Sequence, residues 1–65
     1  MTARDRLRQV FYRCVEDART EPSPIREASA GNAAILADVI LNCNDEQCQA
    51  RVELLLRVSP ELFPS

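Results

Sequence analysis

More apolar surface is written into the second half of this chain than one short polypeptide has room to bury. Ala33-Ala34-Ile35-Leu36-Ala37 and Val39-Ile40-Leu41 are followed by Val52 and Leu54-Leu55-Leu56. On a helical wheel at roughly 100° per residue, the first stretch is apolar around about 260° of its circumference, far wider than the single face of a surface helix. The chain has 65 residues, near the size at which one core barely offsets conformational entropy without a metal, disulfides or a partner. The implied solution is one small helical domain spanning residues 1–65 that covers its surplus by association, most simply as a homodimeric helical bundle.

The hydrophobic fraction of 46% and the single glycine exclude a disordered chain. No apolar run reaches the roughly eighteen residues of a membrane span. Arg4, Arg6 and Arg8 lead into an amphipathic pattern with acids in it rather than a secretory signal, so a cytoplasmic location is the expectation.

Hydrophobic spacing predicts an all-α fold of three main helices. In the first, Leu7, Val10, Phe11, Cys14, Val15 and Ala18 recur at helical intervals. Thr2 and Asp5 form a variant capping box at its start, and Thr20-Glu21-Pro22 ends it, because proline disfavours helical geometry in the residue before it. Ser23-Pro24 reads as an N-cap followed by proline at the first helical position, opening a second helix that runs to about Asn42. Gly31-Asn32 predicts a kink or split in that helix. Ile25 and Ala28 are expected against the first helix, with Ile35, Leu36, Val39 and Ile40 at the centre of the fold. Asn44 caps a third helix over about Asp45 to Val58, with Gln47 reaching back to it. Its stripe is Cys48, Val52, Leu55 and Ser59, and Ser59-Pro60 starts a last turn that folds Leu62-Phe63 back on the core.

Charge is uneven despite a net of −2: residues 1–20 hold five Arg against three acids, residues 21–65 three Arg against seven. With no His and no Lys, no Gly-rich phosphate loop and no nucleophile beside a base, catalysis has nothing to work with, and no catalytic residue or cofactor is assigned. Asp45 and Glu46 are explained by the dipole of the helix they open. They also place negative charge at the start of what would be a recognition helix, which argues against a DNA-binding helix-turn-helix. Cys14, Cys43 and Cys48 are an odd set with no usual zinc spacing, so no metal site is assigned. They read as buried thiols, with a Cys43–Cys48 disulfide as the alternative in an oxidising compartment.

Two clusters remain. Arg4, Arg8, Tyr12 and Arg19 line one side of the first helix, and Arg and Tyr are the residue types most enriched among interface anchors. This side is expected to bind another protein with an acidic or apolar surface. Leu41, Leu54, Leu56 and Val58 lie outside the arcs a three-helix core needs and are the expected self-association residues. The functional expectation is a non-catalytic interaction module, a small regulator, inhibitor or adaptor, of the kind a phage or mobile element encodes. An assembly subunit or small chaperone of a complex is the first alternative, and a DNA-binding regulator the second.

Overall fold

Thr2 starts the first helix through reciprocal bonds. Its hydroxyl accepts from the Asp5 amide at 3.1 Å while its own amide donates to the Asp5 carboxylate at 3.2 Å. Two of the donors that every helix start leaves without a partner are thereby satisfied. The computed structural model describes residues 1–64. Helix α1 runs Ala3–Thr20, α2 Ile25–Asn42 and α3 Asp45–Val58, followed by a 3₁₀ turn over Pro60–Leu62. No strand occurs among the described residues.

The same device opens α3. The Asn44 side-chain oxygen accepts from the Gln47 amide at 2.8 Å, and the Asn44 amide donates to the Gln47 side chain at 2.9 Å. The second helix starts differently from the expectation. Pro24 is its N-cap residue and no side chain caps it. The Ser23 hydroxyl donates instead to the Glu27 carboxylate at 2.6 Å, so a side-chain acceptor one turn on engages the hydroxyl expected to accept from an amide. Gly31 and Asn32 lie inside α2, which is one helix from Ile25 to Asn42.

Helix α1 is the hub. It packs along α2 and on α3, whereas α2 and α3 barely touch each other. Leu7, Val10 and Cys14 from α1, Ala33, Leu36 and Val39 from α2, and Cys48 and Val52 from α3 form the core. Phe63 closes it from the C-terminal turn, with the Arg6 guanidinium 5.0 Å from its ring centre and Arg13 donating to the Glu61 carbonyl at 3.0 Å. Each large side chain so buried contributes about 1.5–3 kcal/mol.

Three expectations about the core need correction. Ile35 is 54% exposed, and Ile25 and Ala28 also face solvent. Ser29 and Ala33 take the inner positions in their place. For Ala28 and Ile35 the reason is rotational: the buried positions of α2 are Ser29, Ala33, Leu36 and Val39, and Ala28 and Ile35 fall past the edge of that arc, Ile35 toward α3; Ile25 shares the Ser29 side but is the first residue of the helix. All three cysteine thiols are free; Cys14 and Cys48 are buried and Cys43 is half-buried. Desolvation, with a smaller contribution from Asp17, pushes the Cys14 thiol up from its ordinary value.

Candidate interaction surfaces

The four residues predicted to form one binding stripe on α1 have different surroundings. Arg4 is turned inward. Its guanidinium donates to the carbonyl of Ile40 and, at 2.8 Å, to that of Cys43, with the Asp45 carboxylate 3.4 Å away. The last turn of α2 carries no basic residue of its own, so Arg4 supplies from a neighbouring helix the positive charge that a helix C-terminus favours. It ties the start of α1 to the α2–α3 turn, which accounts for its place in the sequence without a partner.

Arg8, Tyr12 and Arg19 do face solvent. Arg8 pairs with Asp5 at 2.9 Å, and Arg19 lies 3.8 Å from Glu16, both as exposed pairs within one helix. Tyr12 is 65% exposed and meets Phe11 edge to face, with ring centres 5.5 Å apart. Arg8, Phe11 and Tyr12 share a shallow apolar concavity of about 190 Å³ with Ala37, Ile40 and Leu41 of α2. Leu41 is 79% exposed. The structure therefore joins a residue predicted for self-association to two predicted for partner binding, on one surface that we call the α1–α2 seam. Sequence spacing within single helices could not reveal this, because the seam is made by two helices.

Leu54, Leu56 and Val58 are also solvent-exposed, but on α3. Because α2 and α3 diverge, an open cleft runs between them. At the end near the α2–α3 turn it is a concavity of about 340 Å³ lined by Val39, Cys43, Gln47, Ala50, Arg51 and Leu54. At the other end a smaller concavity of about 190 Å³ lies between Ile35 and Leu36 on one side and Leu55, Val58 and Leu62 on the other. Arg51 lines both ends and makes no ion pair among the described residues. Sequence reasoning singled out neither Arg51 nor Ile35 for this surface. Leu56 lines neither cleft nor seam.

Among the described residues there is no cluster of three or more potential metal-ligating side chains. No helix is long and apolar enough to cross a membrane. Comparison of the chain with protein-family models, with curated proteins and with solved structures finds no match in any of the three.

Proposed function

We propose that this chain is a non-catalytic protein-interaction module that acts in the cytoplasm as a regulator, inhibitor or adaptor of a larger protein, and that it works as a homodimer. The observation that carries the reading is the presence of two separate apolar surfaces, the α1–α2 seam and the α2–α3 cleft, on a chain this small. Apolar concavities rimmed by polar residues are where protein contacts form, and two of them permit one contact with a second copy and one with a different protein. The cleft suits the second task. Its walls are two helices, its floor is apolar, and Arg51 offers a charge to an acidic side chain, which is how an amphipathic helix is held in a groove.

The test is affinity capture from the source cells with the parent chain, Leu54→Asp and Leu41→Asp. The expected result is one stoichiometric protein that Leu54→Asp loses and Leu41→Asp retains. A captured set unchanged by Leu54→Asp refutes the cleft as the partner site.

A further inference from the structure

Three arginines of this chain, Arg4, Arg6 and Arg51, are half-buried, and two of them are engaged within the molecule. Arg4 donates to carbonyls at the end of α2, and Arg6 lies over the Phe63 ring. Arg51 has neither a hydrogen bond nor an ion pair among the described residues. Its own helix offers no counter-charge, because the positions three and four residues away are Gln47, Cys48, Leu54 and Leu55. Glu46 and Glu53 fall roughly 140–160° around α3 from it. The facing wall of α2 is uncharged as well, with Asn32, Ile35 and Leu36 at one end of the cleft and Val39 and Cys43 at the other. Asp38 lies beyond that wall and accepts from Asn42. A guanidinium drawn partly out of water with no anion beside it favours a carboxylate supplied from outside.

We infer that the α2–α3 cleft holds one amphipathic helix of a different protein, with an acidic side chain on Arg51 and a large apolar side chain in the concavity on either side of it. The helical shape follows from the packing. Helix α1 covers one side of α2 and α3, which barely touch each other, so a helix laid in the opposite side completes a four-helix bundle. The spacing follows from the linings. Along α2 the two concavities centre on residues 39–43 and 32–36, and along α3 on residues 47–54 and 55–62. Both walls put them about seven positions apart, which is about 10 Å and the rise between residues i and i+7 of a docked helix. Arg51 borders both concavities, so the acid belongs three or four residues after the first anchor. No helix of this chain has two large apolar side chains seven residues apart with an acid so placed between them; Ala34, Asp38 and Leu41 come nearest, with only an alanine at one end. A second copy is therefore the wrong occupant.

This inference rests on the cleft of the proposed function, and the experiment separates the two. Helical peptides randomised along one face are displayed as a library and selected on the immobilised parent chain. The expected consensus is a large apolar residue, Asp or Glu three or four positions on, and a second large apolar residue at the seventh. The best peptide is then titrated by fluorescence anisotropy with the parent, Arg51→Met, Arg51→Glu and Leu54→Asp, with circular dichroism to verify that each variant is helical. Arg51→Met keeps the apolar stem and removes the charge, so a loss of about tenfold in affinity is expected from the ion pair alone. Arg51→Glu should lose more, and a peptide with Arg in place of its acid should bind Arg51→Glu to within about threefold of the parent pair. A peptide that Leu54→Asp abolishes but Arg51→Met leaves unchanged overturns the acidic anchor while leaving the cleft as a contact site. Selected peptides that bind Leu54→Asp as well as the parent overturn both. A selection that enriches no helical peptide overturns this inference, and capture of a cellular partner that depends on Leu54 is read separately.

Discussion

Replacing Arg4 by Ala tests whether this side chain is a clamp within the molecule or a free interface residue. The guanidinium makes two hydrogen bonds to main-chain carbonyls at the end of α2 and keeps 25% of its side-chain surface exposed. A hydrogen bond from a charged donor is worth about 1.5–3 kcal/mol, and the favourable charge at a helix C-terminus adds about 0.3–1 kcal/mol. Water reaches a partly exposed site and re-solvates freed carbonyls, so the net loss expected is about 2 kcal/mol rather than the sum. Against a total of roughly 3–10 kcal/mol for a domain of this length, that is a large fraction. The melting temperature should fall by about 8–16 °C.

The contact with Asp45 contributes little, because that carboxylate is 96% exposed. Asp45→Asn should therefore cost only a few tenths of a kcal/mol, mostly through the α3 dipole. Arg4→Lys should recover about half the loss, since an ammonium supplies charge but not the planar fork that reaches two carbonyls. Urea and thermal denaturation followed by circular dichroism, at one fixed protein concentration, measure all three. An Arg4→Ala variant within about 0.5 kcal/mol of the parent would refute the clamp, because losses that small belong to exposed ion pairs.

Two further outcomes follow from the helices. Gly31 lies in the interior of α2, has no positive φ, and leaves open space where a Cβ would stand, so Gly31→Ala should stabilise the chain by about 0.5–1 kcal/mol. A lower urea midpoint would show that glycine is required there. The Asp5 carboxyl is held below its ordinary value of 3.8 chiefly by the Thr2 amide, then by the Thr2 hydroxyl and Arg8. A carboxyl depressed in the folded state adds stability that is fully present above its unfolded value and lost as pH falls through its folded one. The urea midpoint of the parent should thus decline more steeply than that of Asp5→Asn below about pH 4. Parallel profiles would remove Asp5 from the acid response.

Each helix boundary that rests on a local bond is readable from the chain itself. Thr2 with Asp5, and Asn44 with Gln47, satisfy donors three residues away, and Pro22 halts a helix through its own ring. Such interactions need no knowledge of neighbours, so the order of the helices and the limits of α1 and α3, along with most of the buried stripe of α1, follow from residue order alone. Ser23 shows the limit of even local inference, because the Glu27 carboxylate competed for its hydroxyl.

Rotation and juxtaposition are different. A helix apolar around most of its circumference offers several faces to a core, and only the helices packed on it determine which is buried. That is why Ile35 stands at the rim of a cleft while Ser29 lies inside. It is also why Arg4, roughly 40° from Arg8 on a wheel, ends as a clamp on α2 while Arg8 remains at the surface. The divergence of α2 from α3, which opens the cleft and separates Leu41 from Leu54 and Val58, depends on α1 being the element both helices share. Helical periodicity records what one helix presents, whereas the seam and the cleft each need the relative placement of two, and that placement is settled by packing across the whole chain.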